Sequence, residues 1–163
     1  MTSYGIYGIG GALVDSEIKV TSKFLKENGF QKGTMTLISK DQYRGVEKSI
    51  SSLRGDAVRK SGGSVCNSIV AASHLGTKTF FSGKVASDPD GVFFVNDLTN
   101  AGVSFCTKNL ASGITGKCLV MISEDAERSM YTFLGVNEYL STKEINLDAL
   151  RKSKWLFIEG YLL

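Results

Sequence analysis

Residues 60–76 read "KSGGSVCNSIVAASHLG", in which two adjacent glycines lead directly into a run of small and apolar side chains. The run predicts a helix over residues 64–75, and Gly76 is a suitable stop for it. Glycines permit a positive φ and allow the backbone to approach a ligand closely. With Ser64 as the N-cap, Asn67 falls at the third helical position, where its amide can face whatever lies over the glycines. A plain strand-to-helix turn with a solvated asparagine explains the same residues, so both interpretations remain open here.

Strands and helices alternate along the rest of the chain. Strands are predicted at residues 3–10, 12–20, 34–39, 77–85, 103–109, 116–123, 128–135 and 154–163. Helices are predicted at residues 22–30, 40–55, 64–75, 91–102 and 141–153, the last on the capping-box pattern of Ser141 and Glu144. The alternation predicts an α/β fold with a mainly parallel central sheet flanked by helices. The surplus half-polar strands at 12–39 and 105–134 predict a small second sheet or flap.

The strand predicted at residues 154–163 contains "WLFI" and is read as buried. A buried parallel strand is normally followed by a helix that covers it. We therefore expect the chain to be a piece of a longer protein. A domain that ends on a central strand is the alternative.

Composition excludes several classes of function. The 163 residues are enough for one domain, and a formal charge of +3 without a basic run argues against nucleic acid as a partner. No apolar stretch approaches the ~18 residues of a membrane span, and the N-terminus lacks the features of a signal peptide. The 3 cysteines are scattered, no CxxC occurs, and there is 1 histidine, so neither a zinc site nor a disulfide framework is expected. These features favour a cytoplasmic protein that binds neither nucleic acid nor membrane.

The glycine-rich segments match neither of two known phosphate-binding motifs in full. The segment at 60–76 lacks the lysine that a nucleoside-triphosphate P-loop requires. Residues 8–13, "GIGGAL", match the dinucleotide fingerprint G-x-G-x-x-G until its last place, which is Leu13. The run that follows is not helix-forming, which argues against a dinucleotide-binding domain but leaves it as an alternative.

Four segments together resemble the phosphofructokinase-B or ribokinase-like sugar and nucleoside kinases, above all the adenosine-kinase-like branch. They are "GIGGALVD", "SGGSVCNSIVAASHLG", "GKVASDPDGVFF" and "TGKCLVMISEDAERSMYTFLG". The resemblance covers nearly all 163 residues. It departs from the family at Ala86, where many members have glycine. It implies that residues 1–163 are the N-terminal part of a ribokinase-like domain whose C-terminal half is absent, with lid strands at about 12–39 and 105–134.

The resemblance also implies an acceptor site. Asp15 matches the carboxylate that accepts hydrogen bonds from two vicinal sugar hydroxyls, a task suited to its two acceptor oxygens. Gly62 and Gly63 match the pair whose backbone approaches the sugar. Asn67 matches an amide that both donates to and accepts from the same hydroxyls. A solvated carboxylate on a strand and a helix-surface asparagine are the structural alternatives.

Four further residues are compared with positions of the family. Gly116 and Phe133 match lid residues near the substrate, although a core phenylalanine explains Phe133 equally well. Arg128 matches a residue that orients a phosphate or pairs with the neighbouring Glu127, and a solvated arginine of the hairpin is the more common structural alternative. Glu159 follows a strand, near the place where ribokinases have a polar substrate-binding or metal-relay group.

The catalytic parts of the family do not occur in this sequence. The resemblance places the general base, the motif that organises Mg²⁺ and most of the nucleotide pocket beyond Leu163. Asp88 and Asp90 in "SDPDG" resemble metal ligands, but a proline-containing turn explains them better. We therefore expect no catalytic residue and no metal ligand in this chain. ATP and Mg²⁺ are expected to serve the full-length enzyme and not to bind this chain alone, which we predict to be inactive.

The sequence thus favours the acceptor-binding half of an ATP-dependent sugar or nucleoside kinase, which transfers the γ-phosphoryl group to a hydroxymethyl group. The alternatives are a non-catalytic sugar- or nucleoside-binding module and a dinucleotide-binding domain. The expected partner is a small-molecule sugar or nucleoside. Exposed lid strands also make a homodimer possible.

Overall fold

The computed structural model describes residues 3–106 and 110–161. The chain forms two compact units, which are described separately. Unit 1 comprises the residues up to Val14, Ser61–Gly116, and the residues from Gly135 onward. Unit 2 comprises Asp15–Lys60 and Lys117–Leu134.

The elements follow one another in the predicted alternation. The strands are β1 Tyr4–Ile9, β2 Leu13–Lys19, β3 Met35–Leu37, β4 Val58–Gly62, β5 Thr79–Ser82, β6 Val103–Phe105, β7 Gly116–Ile122, β8 Arg128–Phe133 and β9 Ser153–Ile158. The α-helices are α1 Ser22–Glu27, α2 Lys40–Ser49, α3 Ser64–His74, α4 Pro89–Asn100 and α5 Leu147–Arg151. Short 3₁₀ turns cover Ser51–Asp56, Gly135–Tyr139 and Thr142–Glu144. Within the described ranges, no helix combines the length and the hydrophobicity that crossing a bilayer requires.

Unit 1 is built on a four-stranded sheet in the order β6-β5-β1-β9, in which every neighbouring pair is parallel. Successive residues of a strand point to opposite faces, so each face has its own core. On one face Phe81 packs with Ile69 of α3 and Phe94 of α4. On the other face Tyr7 and Phe80 pack with Ala149 of α5, and their rings stack 5.0 Å apart. This is the predicted mainly parallel sheet flanked by helices.

Helix α3 lies unusually close to β1. A Cβ atom at Gly8 would come within 2.5 Å of Ile69 Cγ1, and one at Gly10 within 2.8 Å of Val65 Cβ. Glycines in β1 and just after it therefore let the first turns of α3 rest on the strand backbone. The packing brings the N-terminus of α3 to the carboxyl end of β1, which is where ligands bind in open α/β sheets.

Unit 2 is built on a five-stranded mixed sheet in the order β3-β8-β7-β2-β4. Strands β7 and β8 form an antiparallel hairpin, and β3 pairs with β8 in parallel. One face of this sheet carries Ile18, Leu119 and Tyr131, which pack with Leu25 of α1 and Val46 of α2. Side chains at the alternate positions of these strands, including Asp15 and Cys118, point to the opposite face.

Several predicted element bounds are corrected by the structure. The helix predicted at 40–55 ends at Ser49 and continues as a 3₁₀ turn. The helix predicted at 141–153 is divided, because the capping box of Ser141 and Glu144 closes only a 3₁₀ turn. Asn146 then caps the separate helix α5. Of the strand predicted at 103–109, β6 is present, and residues 107–109 lie outside the described residues.

Three strands differ from prediction in position or environment. Strand β4 was not predicted. Strand β6 pairs with β5 in the sheet of unit 1, so the second part of unit 2 begins at Lys117 and not near residue 105. Strand β9 forms an edge of its sheet and is exposed, with Trp155 at 65% and Phe157 at 44% relative accessibility, so the prediction of a buried strand is wrong.

Candidate functional site

The glycine pair forms a rigid corner between β4 and α3. Gly63 is the N-cap of α3 with φ of 107°, and a Cβ atom there would overlap the carbonyl oxygen of Gly11. Both its conformation and its surroundings therefore require glycine. Just before the corner, Ser61 donates to Asp97 Oδ2 of α4 from its N–H at 2.8 Å and from its hydroxyl at 2.7 Å. These bonds hold the end of β4 in place.

The observed N-cap shifts the predicted position of Asn67 by one residue. Ser64 is the first helical residue and not the N-cap, so Asn67 is the fourth. Its N–H donates to the Gly63 carbonyl oxygen at 2.9 Å, and its side chain is exposed. The amide therefore remains on the first turn of α3, next to the glycine corner.

Glu159 caps α3 from a distant part of the chain. Gly63 has no side chain with which to cap the helix. The Glu159 carboxylate instead accepts from Val65 N–H at 3.3 Å and from the Ser64 hydroxyl. Its other oxygen accepts from Gly11 N–H at 2.6 Å. One carboxylate thus joins the turn after β1 to the start of α3, where a negative charge also suits the helix dipole.

We expect Glu159→Ala to lower the stability of unit 1 because it leaves the donors of Gly11, Ser64 and Val65 without their acceptor. Loss of such a cap costs about 1–3 kcal/mol. Thermal unfolding followed by circular dichroism measures the loss. Glu138→Ala, at an exposed glutamate in the same unit, is the matched control and should leave the melting temperature nearly unchanged. Equal melting temperatures for wild type and Glu159→Ala would show that the cap contributes nothing.

A buried asparagine fixes the same turn from the other side. The Asn137 amide donates to the Ala12 carbonyl oxygen at 2.7 Å, and its carbonyl accepts from Ala12 N–H at 2.8 Å. Strand β2 then begins at Leu13, so no helix follows the glycines of residues 8–11. A dinucleotide fingerprint needs a helix N-terminus at that point. The structure therefore rules out the dinucleotide reading of this segment.

Asp15 lies on β2 in a half-buried position. Burial raises the pKa of its carboxyl to about 6, because desolvation disfavours the charged form. Nearby Arg128 and Lys60 lower the pKa in part, whereas the negative charge of Glu17 raises it. A carboxyl with such a pKa is ionised at neutral pH and becomes protonated under mildly acidic conditions.

Phe133 does not share a face of the sheet with Asp15. It pairs with Lys117 across the hairpin, in line with Leu119 and Tyr131, which face α1 and α2. Its ring lies 6.1 Å from the ring of Tyr43 in α2. The structure thus separates Phe133 from Asp15 and supports the packing interpretation of this residue.

Gly116 is the buried first residue of β7. It lies against Gly135, where a Cβ atom would come within 3.0 Å of the Gly116 nitrogen. Gly135 has φ of 58°, so this close approach of two backbone segments depends on glycine.

Asp88 is the N-cap of α4. Its Oδ1 accepts from Gly91 N–H at 2.8 Å and from the Thr115 hydroxyl at 2.6 Å, and its Oδ2 accepts from Thr115 N–H at 2.9 Å. These bonds confirm the turn interpretation of "SDPDG". Among residues 3–106 and 110–161, no group of three or more His, Cys, Asp or Glu side chains is arranged to hold a metal ion.

Comparison with protein families matches residues 34–163 to the pfkB family of carbohydrate kinases. The chain belongs to this family. The predicted resemblance and the predicted fold class are therefore confirmed.

Individual relatives of this PfkB-family chain are sugar and nucleoside kinases. The chain is 35% identical over 108 residues to a 5-dehydro-2-deoxygluconokinase from Halalkalibacterium halodurans. The aligned residues cover 63% of this chain and 32% of that protein. Among solved structures, a probable sugar kinase from Rhizobium etli matches with a TM-score of 0.89 and 32% identity, over 99% of this chain and 48% of that one. The adenosine kinase from Sinorhizobium meliloti matches with a TM-score of 0.87 and 38% identity, over 98% of this chain and 48% of that one. The PfkB-family chain thus spans about half the length of these solved kinases.

Proposed function

We propose that this chain is the acceptor-binding part of an ATP-dependent sugar or nucleoside kinase that transfers the γ-phosphoryl group to a hydroxymethyl group. The observation that carries the proposal is the Gly63 corner, in a chain of the pfkB family. Gly63 is half-buried and carries no side chain at the start of α3, which packs at the carboxyl end of β1. Backbone without side chains in that position is suited to close contact with a small polar ligand.

We propose acceptor-binding residues in each unit taken by itself. In unit 1, Gly62 and Gly63 offer main-chain groups, and Asn67 offers an exposed amide that can both donate and accept. In unit 2, the Asp15 carboxylate offers two acceptor oxygens to a pair of vicinal hydroxyls. We also propose Gly116, the first residue of β7, as a residue near the acceptor. Phe133 is left out because it packs on Tyr43.

ATP and Mg²⁺ are proposed as cofactors of the whole protein. Bound Mg-ATP would supply the phosphoryl group, and its transfer depends on charges positioned around the γ-phosphate. The described residues provide no side-chain cluster that fits a metal ion. We therefore assign no step through Mg²⁺ to this chain and propose that the chain alone does not transfer phosphate.

A non-catalytic sugar- or nucleoside-binding module is the second candidate. It is favoured by the Gly63 corner in a chain of the pfkB family, because both candidates bind the acceptor there. The two candidates share the acceptor site and differ in chemistry. An assay of phosphoryl transfer from ATP, made with the whole protein in the presence of the acceptor, distinguishes them.

A thermal-shift panel of nucleosides and pentoses tests the acceptor site itself. We expect at least one ligand with vicinal hydroxyls to raise the melting temperature of the chain, because a ligand that binds only the folded state stabilises it. Asp15→Ala should remove that shift. Asp41→Ala, at an exposed aspartate of unit 2, is the matched control and should retain it. A shift that survives Asp15→Ala would show that the acceptor is bound elsewhere.

Two further proposals concern the setting of the protein. The edge strands of the unit 2 sheet, β3 and β4, expose Leu37 at 57% and Val58 at 53%, and such edges suit pairing with a second copy. We propose a homodimer through these strands, which sedimentation would detect. We also propose a cytoplasmic location, since Cys66, Cys106 and Cys118 form no disulfide.

A further inference from the structure

We propose that Glu17 makes the acceptor site at Asp15 selective for uncharged acceptors, because it neutralises two cations that would otherwise attract an anionic one. The inference rests on the proposed function, in which Asp15 binds the acceptor. It adds the substrate class, namely a neutral sugar or nucleoside as opposed to a sugar acid or a sugar phosphate. It also assigns the discrimination to a residue that does not itself hold the diol.

Glu17 shares a face of the sheet with Asp15, since the two residues are separated by one position on β2. Each of its carboxylate oxygens lies near a different cation. Lys60 Nζ, from the neighbouring strand β4, lies 3.1 Å from Oε2. Arg128 Nη2, from β8, lies 3.6 Å from Oε1. Three strands of unit 2 thus bring four charged side chains together on one face.

The cluster is electrically balanced when both acids are ionised. Asp15 and Glu17 carry two negative charges, and Lys60 and Arg128 carry two positive charges. Glu17 lies two residues from Asp15 on β2, and the charges of Glu17, Lys60 and Arg128 all shift the pKa of the Asp15 carboxyl. The Cys118 thiol also interacts electrostatically with Asp15. Burial raises the pKa of the Cys118 thiol to about 11, so the thiol remains neutral and adds no charge to the cluster.

This balance decides which acceptors are tolerated. A neutral diol forms hydrogen bonds with the Asp15 carboxylate and meets no net charge. An acceptor that carries a carboxylate or a phosphate meets two acids, while the cations that would attract it are already paired with Glu17. Specificity of this kind comes from a repulsive element as much as from attractive contacts. Without the charge of Glu17, the other three side chains of the cluster would carry a net charge of +1.

A purely structural role for Glu17 makes a different prediction. Its side chain is 26% exposed, and those of Lys60 and Arg128 are 58% and 52% exposed. Ion pairs as exposed as these contribute little to stability. A structural role would therefore predict a small change in melting temperature and the same change in affinity for neutral and anionic ligands.

The test compares two ligand classes on wild type and variants of the full chain by isothermal titration calorimetry. The neutral probes are adenosine and D-ribose, and the anionic probes are D-ribonate and D-gluconate. In the Glu17→Gln variant we expect the anionic probes to bind about fivefold tighter or more than in wild type, which is the effect of one unit charge a few ångströms away in water. The neutral probes should change by less than about twofold, and added salt should suppress the gain.

Glu27→Gln is the matched control, because it makes the same chemical change at the exposed Lys23–Glu27 pair of α1. It should alter neither class of affinity. A second variant, Glu17→Gln combined with Lys60→Gln, should lose the gain for anionic probes, because it restores the balance of charge. The double variant Lys60→Gln with Arg128→Gln keeps the inference testable if Glu17→Gln unfolds. Anionic probes should bind this double variant more weakly than they bind wild type.

The outcomes separate this inference from the function on which it rests. If neutral probes bind wild type and Glu17→Gln gives no gain for sugar acids, the inference is wrong and the proposed function stands. If wild type already prefers the sugar acids, the inference is equally overturned. If none of the probes binds wild type, the proposed function fails, and the inference fails with it.

Discussion

Gly63→Ala is expected to lower the stability of unit 1 by about 3 kcal/mol or more and to abolish acceptor binding. Two penalties combine at this position. A side chain at φ of 107° costs about 1–2 kcal/mol. The new Cβ atom also overlaps the Gly11 carbonyl oxygen, which is backbone held by neighbouring bonds to Glu159 and Asn137 and cannot move freely. Relief of such an overlap costs a further ~1–3 kcal/mol.

The measurement is thermal unfolding of the chain, for which this loss corresponds to a decrease of about 10 °C. Gly76→Ala is the matched control at the other end of α3. Gly76 also has a positive φ, of 88°, but no atom lies within 4 Å of the position of its Cβ. It should therefore show only the conformational penalty. Equal losses for the two variants would mean that the contact between Gly63 and Gly11 does not constrain the corner.

Asp15→Asn is expected to weaken acceptor binding by about tenfold or more while making the folded chain more stable at neutral pH. The loss of affinity follows from the loss of a charged acceptor, whose hydrogen bonds are worth about 1.5–3 kcal/mol. The gain in stability follows from burial. The pKa of Asp15 is about 6 in the folded chain, whereas an unperturbed aspartate has a pKa of 3.8. Folding therefore disfavours the charged form of Asp15.

The sign of the pH dependence follows from the same shift. Between pH 4 and 6 the folded chain holds its proton on Asp15 more tightly than the unfolded chain does. The contribution of Asp15 to the free energy of unfolding is therefore fully present below about pH 4 and is lost as the pH rises through about 6. Acceptor affinity should change in the opposite direction, because the carboxylate is the stronger acceptor, and should fall as the pH drops through about 6.

Titrations of the acceptor at several pH values, together with melting curves, measure both effects of Asp15→Asn. Asp41→Asn, at an exposed position of α2, is the control and should reproduce wild type in both. An acceptor affinity that is independent of pH in wild type would contradict the role assigned to Asp15.

Local sequence patterns were sufficient to predict those helices and strands whose structure is determined by their own residues. The glycine-bounded apolar run of β1 and the glycine that ends α3 predicted those elements to within about two residues. The alternation of strands with helices then predicted the parallel sheet, because only parallel strands need helical crossovers.

The predictions failed where the decisive partner is distant in sequence. Strand β4 was missed because Val58, Arg59 and Lys60 are exposed and show no apolar alternation, so the strand exists through its pairing in the sheet. The single helix predicted at 141–153 was wrong because Asn146 offers a second cap that interrupts it.

The candidate site shows the same division between local and distant determinants. Glycine spacing identified the corner at 62–63, but nothing local indicated that Glu159 would cap α3 across 94 positions. The position of Phe133 on the helix-packed face follows from the register of the hairpin, which the sequence alone does not specify. The pairing of Glu17 with Lys60 and Arg128 likewise required the strand order.

The central claim is that the Asp15 carboxylate binds the acceptor through its vicinal hydroxyls. The most direct measurement is a titration of the ¹⁵N-labelled chain with the best neutral ligand, followed by amide resonances. The account predicts saturable shifts at Asp15, and no such shifts with the matching deoxy ligand that lacks the diol. Shifts confined to other residues, or equal shifts with the deoxy ligand, would contradict it.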